Sequence, residues 1–282
     1  APNHAVGTSI SYNRMPSNKG VANMKSMVFY DLQLTENSFS KIWTPEQVSS
    51  VTNNMYYVGK IGKVGFDFNL DWLWNKKKES SMTQEAYQEI EKEEQNILVD
   101  SKNNTKNNLV ASKLLVTIPC LKGVISVGGE YSKCNRDNNY IIQPIGVLED
   151  KDGRIEESLA SAFWDYSRKI GALKLQLGLR YELLNYNYHE NESNKFNQSH
   201  VYRNFLPSFM LSLSLGNWQM QLGHGTDIQR PSYYAMRNSI QYDNKYTYEA
   251  GNPYLVSQLS RNVSYDISYK WMSVNMMYSH IS

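Results

Sequence analysis

Between Asn262 and Ser279 nearly every second side chain is apolar. Val263, Tyr265, Ile267, Tyr269 and Trp271 fall on one side of an extended chain, and Ser264, Asp266, Ser268 and Lys270 on the other. At Met272 the phase flips, and Met272, Val274, Met276 and Tyr278 become the apolar set. A flip after strict alternation predicts a tight hairpin between two strands, each with one wet and one apolar face. The same alternation places Val64, Phe66, Phe68, Leu70 and Trp72 opposite Asp67, Asn69 and Asp71. It recurs at Leu173–Leu183, with Lys174, Gln176, Arg180 and Glu182 on the polar side, and at Phe209–Leu215 and Trp218–Leu222. Val28, Tyr30, Leu32 and Leu34 form a further row, as do Ile125, Val127 and Tyr131. About a dozen such runs are present, most near ten residues long, the length a tilted strand needs to cross a bilayer.

The connections carry a second signal. Gly62-Lys63, the Cys120–Lys122 corner, Ile170-Gly171, Gly216-Asn217 and the flip at Trp271 read as tight turns. Long polar stretches lie between them, at 37–53, 75–107, 135–153, 187–201 and 229–259. Short and long connections therefore alternate, as they do in transmembrane barrels with short periplasmic turns and long external loops. The chain is expected to be all-β, an antiparallel transmembrane barrel. One segment departs from the β pattern: Thr83–Val99 has helix formers, with Ala86, Ile90 and Ile97 near helical spacing, and predicts a short solvated helix in an external loop.

Composition changes this picture little. No run of about eighteen apolar residues occurs, which excludes a transmembrane helix but not a barrel. The 21 Tyr and 6 Trp suit aromatic girdles, and a net charge of +2 gives no reason to expect nucleic acid. The chain opens on Ala-Pro-Asn-His and stops just after a strand, so residues 1–282 are expected to be one partial barrel domain from a longer protein. Cys120 and Cys134, at opposite ends of one predicted strand, would lie roughly 40 Å apart, too far for a disulfide.

Candidate chemistry is sparse. His4, His189, His200, His224 and His280 lack metal-ligand spacing, and Glu156-Glu157 point to opposite faces of a strand. A Ser212–His224 pair across a hairpin has no third orienting group. The expectation is no enzyme, no catalytic residue, no metal and no cofactor. Asp67, Asp71, Lys174, Arg180, Glu182, Asp266 and Lys270, all on polar strand faces, are candidate lumen-lining residues.

A resemblance adds to this reading. Gln229-Arg-Pro-Ser-Tyr-Tyr, then Tyr248-Glu-Ala-Gly-Asn-Pro-Tyr-Leu255, then the strand at 262, resemble the late-barrel signature of TonB-dependent outer-membrane receptors. Gly178-Leu-Arg-Tyr-Glu and Asn204-Phe-Leu-Pro-Ser208 are similar to preceding strands of those barrels, in the variant typical of Bacteroides-like bacteria. The detailed match covers about 155–282, and Arg230, Pro231, Gly251, Asn252 and Pro253 carry it. The resemblance implies about half of a barrel of about 22 strands with a plugged lumen. It implies import of a siderophore, glycan, peptide or vitamin complex at the cell outer membrane. The implied partners are outer-membrane lipid, a plug domain and TonB outside this chain, and a surface lipoprotein. Pro231 and Pro253 would stiffen an external loop, and Gly251 would permit a turn that a Cβ would obstruct. The alternative reading is a soluble or surface β-sheet module for binding or adhesion, without transport.

Overall fold

The computed structural model describes residues 4–144, 148–191, 197–237 and 239–282. Its strands are β1 (His4–Tyr30), β2 (Gln33–Ile61), β3 (Val64–Glu89), β4 (Gln95–Cys120), β5 (Gly123–Gln143), β6 (Lys151–Ile170) and β7 (Leu173–Glu190). These are followed by β8 (Gln198–Leu215), β9 (Trp218–Gln229), β10 (Ile240–Asn244), β11 (Thr247–Ala250), β12 (Gln258–Tyr269) and β13 (Met272–Ile281). Eleven of them form one antiparallel sheet in chain order, β1 through β9 and then β12 and β13; β10 and β11 form a separate hairpin. The sheet is open, since neither β1 nor β13 pairs beyond its sequence neighbour among the described residues.

One end of the sheet is built from two-residue turns at 62–63, 121–122, 171–172, 216–217 and 270–271. Gly62, Gly171 and Gly216 supply the positive φ these turns require, while Leu121, Lys122 and Lys270 adopt it despite a Cβ. The other end carries the longer connections, apart from the two-residue turn at Asp31-Leu32. That turn interrupts the expected row Val28–Leu34, which therefore belongs to two strands rather than one.

The expected helix at Thr83–Val99 is not formed. β3 continues to Glu89 and β4 starts at Gln95, with Tyr87 opposite Gln95 in register. Two of the long polar stretches are likewise mostly strand, since 37–53 lies within β2 and 75–107 is the facing halves of β3 and β4, whereas 229–259 is largely a connection as expected. Residues 145–147, 192–196 and 238 of the expected loops lie outside the described residues. Backbone pairing with a neighbour outweighs the modest helix preference of Glu, Gln and Ala, because each residue added to the ladder bonds both sides of an already ordered strand.

The register explains why these halves did not read as strands. On β7, Leu173, Leu175, Leu177, Leu179, Tyr181 and Leu183 share one face. Farther along, without a bulge, the apolar side chains change face: Leu184, Tyr186 and Tyr188 are buried on the other side. β3 behaves alike, with Phe66–Trp74 apolar on the outer face and then Lys76, Lys78 and Ser80 at the same parity. The first face is thus apolar for about nine to eleven residues from the tight turns, a band of the roughly 25 Å height that spans a bilayer. Beyond it the strands project into water, and their buried side chains lie on the opposite, inner face. Here a change of phase marks the membrane boundary, not a hairpin.

Among the described residues no second sheet covers the outer band. Leu177 and Leu179 remain 36% and 43% exposed, so the leucines do not form the core of a soluble sandwich. Trp218, Tyr269 and Trp271 gather near the tight-turn edge, with the Trp218 and Tyr269 rings 4.5 Å apart. At the far edge the Trp72 indole donates to Asn108 Oδ1 at 2.8 Å. Amphipathic rings at both edges are what membrane interfaces favour.

Three arginine substitutions test this assignment. Leu177→Arg should cost about 2–4 kcal/mol in lipid vesicles, because it places a charge at mid-band facing lipid. Gln176→Arg, facing inward, and Asn187→Arg, on the outer face beyond the band, should each cost well under that. Urea unfolding from vesicles reads all three, and equal losses at 177 and 187 would refute the boundary.

Candidate functional site

The inner face is concave. Lys113 on β4, Asp165 on β6, Gln176 on β7, Gln221 on β9, Asn262 on β12 and Met277 on β13 line a single open cavity of about 750 Å³. A polar ladder crosses this face. Lys113 Nζ lies 2.8 Å from Glu130 Oε1, Arg180 Nη2 donates to Glu130 Oε2 at 2.6 Å, and Arg180 Nε donates to Glu182 Oε1 at 2.7 Å. Arg230 then donates to the second oxygen of Glu182. Charges of alternating sign thus run Lys113, Glu130, Arg180, Glu182, Arg230, with the Phe163 ring under Lys113 and Arg180 at 5.4 and 5.7 Å. Each carboxylate has a cation on either side, so neither is left uncompensated away from bulk water.

Arg230 also begins the connection between β9 and β12, which turns inward across the concave face. The Arg136 guanidinium lies 5.2 Å from the Tyr233 ring centre. Tyr233 sits against Cys134 and Glu157, and with Met236 it covers Ile155, Tyr186 and Tyr188. The β10–β11 hairpin then reaches the first strands. Tyr242 packs with Val99, Tyr140 and Ile142, and its hydroxyl donates to Glu85 Oε2 at 2.6 Å. The Lys245 backbone N–H donates to the same oxygen at 2.9 Å, and Lys245 Nζ is 3.1 Å from both oxygens of Glu36. Glu85 is fully buried, a position a carboxylate tolerates when donors are fixed against it. This docked segment makes the inner face apolar at this end: among the described residues, the buried apolar side chains lie on or beneath it, except Ile42, which shares the same face of the sheet.

The motif residues hold the segment's shape. Asn252 N–H donates to Ala235 O at 2.7 Å, and Asn252 Oδ1 accepts from Tyr254 N–H at 3.0 Å. A Cβ on Gly251 would sit 2.4 Å from Arg237 O and 2.7 Å from Ala235 O. Gly251 therefore admits a close backbone crossing, whereas the expectation was a turn. Pro231 and Pro253 seat against Leu184, Tyr186 and Tyr202 on the inner wall of β7 and β8. Arg230, Pro231 and Pro253 thus line one wall, with Arg230 reaching Glu182, while Gly251 and Asn252 lie against Ala235 and Arg237.

The other expected residues are more dispersed. Asp67, Asp71 and Asp266 lie on the inner face, bonded to Asn69, Asn54 and Asn275. Lys174 shares that face near the tight turns, opposite Ser212. Lys270 does not: it occupies the β12–β13 turn at φ 50° and lies 5.3 Å from the Tyr269 ring. Ser212 pairs with Gln221 on the inner face and His224 with Phe209 on the outer, so the Ser–His pair is not assembled. No group of His, Cys, Asp and Glu that could hold a metal occurs among the described residues, and both cysteines are free. Sequence reasoning missed Glu36, Glu85, Tyr233 and Tyr242. Glu85 lay in the expected helix, and nothing local pairs Tyr242 with a residue 157 positions earlier.

The comparisons with known proteins agree with this architecture. The pattern that defines the outer membrane protein beta-barrel family matches residues 59–282. Among solved structures, the copper transporter OprC aligns over 88% of this chain and 46% of its own, at 7% identity and TM-score 0.50. The alcaligin outer membrane receptor FauA from Bordetella pertussis aligns over 99% of this chain and 50% of its own, at 11% identity and TM-score 0.45. The ferric citrate transporter FecA aligns over 99% and 52%, at 10% identity and TM-score 0.46. The chain spans about half the length of these structures. No curated protein matches it.

Two measurements probe the docked segment. Gly251→Ala should loosen it and, in a Cys120→Ser background, speed maleimide labelling of Cys134 severalfold; an unchanged rate would show that the crossing is not needed for docking. Glu157 offers a pH test. Burial raises its pKa, against the lowering influences of Arg230 and Tyr233. A raised folded-state pKa adds stability below the unfolded value of 4.5, and that stability is lost as pH rises through the folded value. The urea midpoint of the wild type should therefore fall relative to Glu157→Gln as pH rises above about 4.5, and the two should converge in acid.

Proposed function

Because this chain belongs to the outer membrane protein beta-barrel family, a protein of the outer membrane, we propose that it is part of the wall of a TonB-dependent receptor. In this reading residues 1–282 form one partial domain of a larger barrel. Its cargo is a nutrient too large for open porins, of the siderophore, glycan, peptide or vitamin-complex kind. The tight-turn end faces the periplasm, and the projecting strands with the 230–257 segment form the outer mouth. The protein is not an enzyme. Its partners are outer-membrane lipid, a plug domain and TonB beyond this chain, and a surface lipoprotein that delivers cargo.

The observation that carries the reading is the chord made by 230–257 across the concave face. An adhesin needs only an outward surface, and an open pore needs a clear lumen. Here a segment anchored to Glu182 at one side and to Glu85 and Glu36 at the other narrows the mouth over a wide polar chamber. Asp67, Asp71, Lys174, Arg180, Glu182 and Asp266 supply fixed charges on the chamber wall, where a plug or a passing solute exchanges water for paired groups. The similarity to the solved structure of OprC supports the fold on which this rests.

The test uses the full-length gene. Its deletion should lower uptake of one nutrient class to the level seen when TonB is inactivated, with no additive loss in the double mutant. Loss of surface attachment with uptake intact would instead assign the barrel to adhesion.

A further inference from the structure

Under the docked segment lies a second, smaller cavity of about 280 Å³, floored by β2, β3, β4 and β5 and roofed by the segment. Its floor is made of neighbours in register: Ser81 stands opposite Ser101, and Asn103 opposite Tyr140. Its roof includes Tyr234, Arg237 and Gln241. Four polar atoms at this cavity are buried and make no hydrogen bond: Ser81 Oγ, Asn103 Oδ1, the Tyr140 hydroxyl and Arg237 Nη2. Tyr140 is only 5% exposed, and its hydroxyl, near that of Ser101, does not reach bonding geometry with it. Arg237 Nη2 lies 3.4 Å from Glu249 but makes no hydrogen bond to it. A buried polar atom without a partner is costly, so four around one hollow indicate that something polar completes them.

The lining narrows what that is. Glu46 and Glu79 oppose an anion, and Lys77, 3.4 and 2.7 Å from them, removes the excess negative charge that would hold a cation. The unpartnered set mixes an acceptor, a donor and two hydroxyls that do both, which suits groups that themselves both donate and accept. Tyr140 and Tyr234 add ring surface. We propose that the cavity is a binding site for a neutral polyhydroxylated ligand, one sugar ring in size, held between the strand floor and the docked segment. The inference deepens the proposed function and rests on it for one point, that the cavity faces the cell exterior.

The experiment uses the full-length protein in detergent and saturation-transfer NMR with D-glucose, D-galactose and N-acetyl-D-glucosamine, with inorganic phosphate and calcium as competitors. At least one sugar should show transfer that neither ion displaces. Tyr140→Phe, which removes one hydroxyl, should weaken that sugar about tenfold, as loss of one buried hydrogen bond would. Asn103→Ala should weaken it similarly if the phenylalanine variant fails to fold. Absence of transfer from all three sugars, transfer unchanged by both variants, or displacement by phosphate or calcium would overturn the site, leaving ordered water or an ion as its occupant. Uptake is scored separately: sugar binding without TonB-dependent uptake supports the site and removes transport from the proposed function.

Discussion

Backbone hydrogen bonding sets the terms for the rest of this molecule. Inside a bilayer no water can satisfy a peptide group, so every strand in the apolar band needs a neighbour on both sides. The continuous ladder from β1 to β13 meets that demand for all strands but the two edges. The ladder also fixes side-chain parity, because successive residues must face opposite sides. Once Leu177 faces lipid, Gln176, Gly178 and Arg180 face the lumen, and the charge chain from Lys113 to Glu182 follows from the register.

The same ladder outlasts the membrane. β2, β3 and β4 run for 29, 26 and 26 residues, about twice the length the lipid requires or more. Outside the lipid their outer face meets water and carries Lys76, Lys78 and Lys106, while their inner face carries Val99, Ser101 and Thr83 beneath the docked segment. One strand thus has two hydrophobic patterns of opposite phase, each answering to the solvent at its own height.

Charges and hydrogen bonds fix the docked segment alongside its two apolar clusters. Arg230 at Glu182, Tyr242 and Lys245 at Glu85, and Lys245 at Glu36 fix it at three points. Removing one member would leave a buried carboxylate short of donors, which costs more than the contact itself contributes. Burial of Tyr242 and its hydrogen bond to Glu85 push its pKa up, so the phenol remains a donor across the physiological range. Such anchors define one seated position, and a second seated position would need new partners for all of them.

Much of this was legible in the residues alone. Alternation at 64–72, 173–183 and 263–278 determined strands, their apolar faces and the tight turns between them, because a period of two is a local property. Arg180 and Glu182 were readable as inner-face charges for the same reason. The helix at 83–99 misled because local propensity there opposes a pairing 8 to 16 residues away that only the ladder supplies. The polar stretches read as loops because a strand in water has no apolar stripe facing lipid. Which residues meet the 230–257 segment was decided by tertiary structure alone. Glu85 and Tyr242, or Arg230 and Glu182, become neighbours only when the sheet curves and a connection spans it, and no spacing within the chain records that curvature.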